Sequence, residues 1–439
     1  MPHSQRLPGF LLLMLATLGM AWTTAARAQL TVQITQGVVD AIPVAVVPFA
    51  WSGSEALPLD AAAVIQADLD RSGRFRSLPR ASMIEKPTTA AAVDAADWRL
   101  LKVDYVVVGR LLPLPDGRLD MQFELVNALT GQRLLGLALP SDRSGLRMAA
   151  HRAADAIHEK ILGIRGAFAT RIAYVAVAGT APTRTFSLVV ADADGETPRT
   201  VARSQQPIMS PAWSPDGQRL AYVSFEGGFS AVYVQTLRTG ERVKVSSRAG
   251  INGAPAWSPD GTRLALTLSK RDGNADVYVL ELATQQLQQL TDDPAIDTEP
   301  AWAADGQSVL FTSDRAGAPQ VYRLALGGSD RPKRVTFEGS YNARPRLSPD
   351  GKQIAVVTID RGAYRIGVVD LATGALRVLT NGRLDESPSY APNGAMLIYA
   401  TREGRTGVLA AVSSDGTVQQ RIAAPAGEVR EPVWSPYLN

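Results

Sequence analysis

The sequence predicts an α+β N-terminal domain followed by an all-β six-bladed propeller, with four-stranded blades closed by the C-terminal strand. Three observations carry this: a motif repeated about every 44 residues, short strand-like runs between its copies, and a last copy whose missing strands occur far upstream. A fixed period of this size marks a repeat architecture.

The motif reads Pro-Ala-Trp-Ser-Pro-Asp-Gly at 211–217 and 255–261, and Pro-Ala-Trp-Ala-Ala-Asp-Gly at 300–306. It becomes Pro-Arg-Leu-Ser-Pro-Asp-Gly at 345–351, Pro-Ser-Tyr-Ala-Pro-Asn-Gly at 388–394 and Pro-Val-Trp-Ser-Pro at 432–436. The anchors Trp213, Trp257, Trp302, Leu347, Tyr390 and Trp434 are 44, 45, 45, 43 and 44 residues apart. In the second repeat, strand-like runs at 263–268, 276–282 and 286–291 follow the motif, separated by turn signals. β-Branched and aromatic runs at this spacing argue for antiparallel strands. With the short strand ending at the anchor, each period holds four, which is a propeller blade.

Ser-Pro-Asp-Gly has a structural job. Proline presets φ, aspartate bonds its own backbone and glycine takes a left-handed φ without a Cβ clash. The aspartates are therefore read as turn residues, and each Trp as packing between blades. Only five residues follow Trp434, so the sixth blade lacks three strands. Matching runs occur at 171–175, 187–190 and 199–202. Closure by the C-terminal strand would remove the open edges of the array.

Residues 1–28 read as a cleaved secretory signal: a weakly basic start at Arg6, an apolar stretch and Ala26-Arg-Ala28 as a small-x-small cleavage site. Its run is short for a membrane span, and no other such run follows, so direct membrane insertion is not expected. The chain has no cysteine, so an exported form relies on its core rather than on disulfides. The signal carries two arginines and no acid out of a net +3, leaving a mature chain near neutrality. That charge gives no reason to expect nucleic acid as a partner.

Residues 29–165 form the predicted α+β domain and 166–439 the propeller. The α+β segment holds a buried strand at 44–49, a helix at 59–71, a second at 93–102, a strand at 104–110, a hairpin over 119–126 and 133–139 turning at Gly131, and an amphipathic helix at 144–162 ending at Gly163. The short connection at 163–166 predicts firm packing between the domains.

No catalytic constellation emerges. His151 and His158 lie seven apart on the long helix and are read as surface or packing residues; the propeller has no histidine. There is no nucleophile elbow, phosphate loop or zinc spacing, so no catalytic, cofactor or metal residue is assigned. An exported hydrolase or lyase of envelope peptides or sugars would have to work through carboxylates alone. The connections between blades, which converge on one mouth of the central channel, are the better candidates for function. They supply Met209, Ile251, Asn252, Ala254, Thr298, Glu299, Tyr341, Asn342, Arg344, Asp385, Glu386 and Arg430, a mixed and mildly acidic rim suited to docking a protein.

The combination of Pro-Val-Ala-Val-Val-Pro-Phe at 43–49, Val-Val-Val-Gly at 106–109, Leu-Gly-Ile-Arg-Gly-Ala-Phe at 162–168, Met-Ser-Pro-Ala-Trp-Ser-Pro-Asp-Gly at 209–217 and the terminal Trp-Ser-Pro-Tyr-Leu at 434–438 resembles the TolB family of the Tol-Pal system. The resemblance spans the mature chain. It implies a non-enzymatic, monomeric periplasmic adaptor linking the outer-membrane lipoprotein Pal to TolA of the inner membrane. Its implied role is outer-membrane integrity and constriction during cell division. Pal is expected on the channel mouth, where Ile251, Ala254, Thr298 and Glu299 match family rim positions; family members more often carry a polar or basic residue in place of Ile251. TolA is expected to engage the mature N-terminal tail, Gln29, Leu30, Thr31, Val32, Gln33 and Ile34, which is packed in one state and released in another. Bacteriocin peptides entering the channel are a further implied partner. Leu30, Val32 and Ile34 alternate with polar residues, as a segment that adds to a sheet edge would; a permanent strand of the N-terminal domain is the alternative.

Overall fold

The computed structural model describes residues 32–33, 41–269, 273–328, 331–424 and 427–438. The expected signal and the tail residues Gln29, Leu30, Thr31 and Ile34 lie outside them.

The N-terminal domain is a mixed sheet between helices. In spatial order its strands are Phe75–Ser77, Ile42–Val46, Tyr105–Pro113, Leu119–Asn127 and Arg133–Ser141. The first three run parallel and the rest antiparallel. Alternation decides what covers each face. Val44, Val46, Val107, Met121, Phe123 and Leu125 point to α1 (Ala61–Arg71) and α3 (Leu146–Leu162). Ala45, Val47, Val106 and Val108 point the other way, onto Trp98 of the short α2 (Ala95–Leu100). The helix ends follow their caps: Asp60 accepts from the Ala63 N–H at the start of α1, and Gly163, at φ 74°, closes α3.

The propeller has six four-stranded blades, counting as blade 1 the one that begins at Ile208. Blade 6 is the composite one: Glu428–Trp434 pairs antiparallel with Arg171–Ala178, followed outward by Thr185–Asp192 and Arg199–Ser204. This is the closure expected from the truncated last repeat. The anchors pack between blades and are also bonded there. Trp213 donates through Nε1 to the Val433 carbonyl at 3.2 Å, Trp257 to Ala212 at 3.1 Å and Trp302 to Ala256 at 3.1 Å. Arg219 and Arg263 lie over the rings of Trp257 and Trp302, 4.5 and 4.7 Å from their centroids. The motif aspartates are turn residues, as expected: Asp260 accepts from Ser258 Oγ at 2.5 Å and from the Thr262 N–H at 3.0 Å.

The two domains meet on the face that carries these turns, at blades 5 and 6. Asp155 of α3 accepts from the backbone N–H groups of Phe168 and Ala169 at 2.8 and 3.2 Å, fixing the entry into the propeller. Gly73 sits at φ 68° against blade 5, where a Cβ would come within 2.3 Å of the Val418 side chain. Of the two roles expected for the histidines, surface or packing, the structure shows packing: His151 and His158 are both buried. His151 Nδ1 lies 2.6 Å from Asp68, in a charged network across the interface with Arg71, Arg147, Asp192 and Asp194. The amphipathic helix turns much of its polar face to the other domain rather than to water.

Val32–Gln33 forms a short strand antiparallel to Gln419–Arg421, the outer strand of blade 5, with Val32 opposite Gln420 and Gln33 opposite Gln419. This stretch therefore does not join the N-terminal sheet, the alternative considered for it; it extends a blade. Among the described residues no helix is long and apolar enough to cross a membrane.

Candidate functional site

Each inner strand breaks its ladder at the same place. The register shifts between Met209 and Ala212 in blade 1, Gly253 and Ala256 in blade 2, and Thr298 and Ala301 in blade 3, and likewise in blades 4 to 6. At each shift a non-glycine residue is left-handed: Ser210 (φ 52°), Ala254 (44°), Glu299 (54°), Arg344 (54°), Ser387 (57°) and Glu431 (51°). All six precede the motif proline, three residues before the anchor. A bulge re-aims side chains, and left-handed non-glycine backbone costs on the order of 1–3 kcal/mol unless its surroundings hold it. Here bonds between blades hold it. Glu299 of blade 3 accepts from the Arg344 N–H of blade 4 at 2.9 Å and from Thr312 Oγ1 at 3.0 Å. Its own N–H donates to Thr267 Oγ1 of blade 2 at 3.1 Å. Arg344 Nε donates to Glu299 at 2.6 Å, and its Nη1 donates to Ser387 of blade 5. Glu431 of blade 6 accepts from the Ser210 N–H of blade 1 at 2.5 Å. Burial alone would lower the Arg344 pKa, but Glu299, Glu431 and Glu386 outweigh it and hold the guanidinium above its ordinary range.

This ring surrounds a cavity of about 750 Å³ that reaches from Phe229, Ile251 and Met209 at the mouth to Pro215, Pro259 and Pro436 among the turns. The expected rim residues divide into two groups. Met209, Ile251, Ala254, Thr298, Glu299, Tyr341, Arg344, Glu386 and Arg430 keep some exposure on the mouth face, Ile251 the most at 49%. Tyr341 packs edge-on against Tyr364, with ring centroids 5.5 Å apart. Asn252, Asn342 and Asp385, in contrast, are fully buried, which corrects their reading as contact residues. Asn252 ties down its connection by accepting from Ser246 Oγ and the Arg248 N–H and donating to the Arg248 carbonyl. Asn342 donates to Gln320 and to the Glu338 carbonyl, and Asp385 accepts from the Gly382 N–H and Thr401 Oγ1. They shape the loops from beneath. The rim is also less acidic than its composition implies, because Asp297 is buried in a two-bonded pair with Arg315 at 2.7 and 2.9 Å.

Sequence reasoning missed Phe229, which is 82% exposed and lies in the turn between the second and third strands of blade 1. Its signal was an aromatic at the tip of Glu-Gly-Gly-Phe-Ser, where a turn has no packing use for it. Ile296, 52% exposed, continues the apolar sector toward blade 3. Together with Met209 and Ile251 these residues set an apolar arc beside the charged arc of Glu299, Arg344 and Glu386. That arrangement can bind a protein surface and presents no nucleophile–base pair. Among the described residues one other cluster has metal-ligand character: Asp68, His151 and Asp194 offer atoms within 4.8 Å of one another. Arg71 and Arg147 already bond these carboxylates, so the cluster reads as an ion-pair network.

A model of the TolB amino-terminal domain matches residues 30–134, and one of the TolB beta propeller domain matches residues 158–438. The chain is 52% identical over 416 residues to the Tol-Pal system protein TolB of Xanthomonas oryzae pv. oryzae (strain PXO99A), covering 94% of each. It is 51% identical over the same length and shares to the protein of that name from Xanthomonas campestris pv. campestris (strain B100). The crystal structure of TolB from Acinetobacter baumannii is similar at a TM-score of 0.85 and 41% identity, over 93% of this chain and 100% of that one. With both domain models and near-full-length relatives in agreement, the chain belongs to the TolB family of Tol-Pal system proteins.

Proposed function

We propose that this chain is a non-enzymatic periplasmic adaptor of the Tol-Pal system, docking Pal on the propeller mouth and TolA through its N-terminal tail. In this role it would serve outer-membrane integrity and constriction at division. The observation that supports the docking site most directly is the sixfold ring of bulges. It is a rigid, cross-bonded frame under a rim that is apolar on one side and charged on the other. Interfaces of this composition bind proteins, with exposed aromatics as anchors. The tail reading draws on the pairing of Val32–Gln33 with the outer strand of blade 5. A two-residue pairing at a sheet edge is weak enough to be exchanged for a partner's strand.

The test is binding of purified Pal and of the TolA periplasmic domain to the mature chain and to a variant lacking residues 29–39. The deletion should abolish TolA binding and leave Pal binding intact. TolA binding that survives the deletion would refute the tail assignment.

A further inference from the structure

One residue breaks the symmetry of the channel wall. At the position just before each anchor, Ala212, Ala256, Ala301 and Val433 line the cavity in blades 1, 2, 3 and 6, whereas blade 4 places Arg346 there. This level lies two residues below the bulge ring, toward the turns. Arg346 is partly buried, and among the described residues its side chain has one hydrogen bond, from Nη1 to the carbonyl of its neighbour Pro345 at 2.9 Å. Among the described residues no carboxylate lies within ion-pair distance of it. Arg344, one bulge higher, is engaged with Glu299 and Ser387 and cannot be spared. Burial, and then the like charge of Arg344, pull the Arg346 pKa down, while Glu299 and Glu431 only partly offset them. With one protein acceptor, the guanidinium keeps most of its five donors available to a ligand in the cavity.

We propose that Arg346 makes the inner channel a binding site for a single carboxylate. The planar fork fits a carboxylate with two parallel bonds, which strengthen where water is excluded. The small alanine side chains around it leave room for a slender ligand. Glu299 and Glu431 stand above it at the entrance and oppose a doubly charged anion, so a carboxylate fits better than a phosphate. The group has two possible carriers, an acidic side chain or a free chain end. The site is defined by the channel wall and does not depend on which partner covers the rim.

The intact mature chain is titrated with N-acetylglycine, which mimics a chain end, and with N-acetylaspartate N-methylamide, which mimics a side chain. N-acetylasparagine N-methylamide and inorganic phosphate serve as controls. Tryptophan fluorescence reports binding, because Trp213, Trp257, Trp302 and Trp434 line the same cavity. At least one carboxylate should bind saturably and at least tenfold more tightly than either control, and Arg346→Gln should lose that advantage. The carboxylate probe that binds better identifies the carrier. Equal responses to carboxylate and amide in the native protein, or undiminished carboxylate binding in a folded Arg346→Gln variant, would overturn the proposal. The native comparison is decisive even if the variant fails to fold.

Discussion

Arg344 of blade 4 and Glu299 of blade 3 are bonded twice, through the guanidinium at 2.6 Å and through the Arg344 backbone N–H at 2.9 Å, and both residues are left-handed. The pair thus links two strained bulges across a blade boundary. Both side chains are partly exposed, at 30% and 21%, so solvent moderates its strength. Glu299→Ala should destabilise the protein by about 1–3 kcal/mol, because it removes the acceptor of a charged donor and of a backbone N–H. Glu299→Gln should cost less, since it keeps an acceptor. Denaturant unfolding of both variants checks the order, and a more damaging glutamine would contradict it.

The anchors make a second prediction. Trp257→Phe keeps most of the buried ring but removes the bond to the Ala212 carbonyl, and should cost about 1 kcal/mol. Trp257→Ala also opens a cavity between blades and should cost about 3–5 kcal/mol. Thermal or denaturant midpoints separate the two effects.

His151 makes the interdomain contact dependent on pH. It faces Asp68 and Arg71 of α1, Arg147 of α3, and Asp192 and Asp194 of blade 6. Burial lowers its pKa, but Asp68 and Asp194 outweigh that and raise it above 6.5. A raised folded pKa means the contribution is complete below about pH 6.5 and is lost as pH rises through the folded value. Stability followed from pH 6 to 9 should therefore fall more steeply in the native protein than in His151→Gln. Parallel curves would remove His151 from the account.

Phe229 separates binding from folding. At 82% exposure, its ring contributes little to stability, so Phe229→Ser should leave the melting temperature nearly unchanged. If the apolar arc anchors a partner, the same change should weaken Pal binding by tenfold or more, about 1.4 kcal/mol. Unaltered affinity would move the contact away from blade 1.

Much of the fold was legible because a repeat states its period openly. The anchors gave the blade count, and the surplus strands upstream of residue 204 gave the closure through Trp434. The site was only partly legible. Glu299 and Arg344 are 45 residues apart, and a bulge leaves no mark in an alternating pattern, so their pairing emerges only when blades are set side by side. Asn252, Asn342 and Asp385 looked like surface residues because they are polar and precede strands. They are buried because Asn252 and Asn342 bond back to the preceding blade and its connection, and Asp385 bonds its own loop and blade. Whether His151 was a surface or a packing residue stayed open for a related reason: the polar face of α3 lies against a second charged surface, and periodicity cannot tell that surface from water.

The central claim is that one surface of this chain, the channel mouth, and one segment, the tail, serve two different partners. The most direct measurement is a paired titration of Pal against the mature protein and against Glu299→Ala combined with Phe229→Ser, with TolA binding followed in the same samples. The account predicts that Pal affinity falls by more than tenfold while TolA still binds. Unchanged Pal affinity in that folded variant would contradict it.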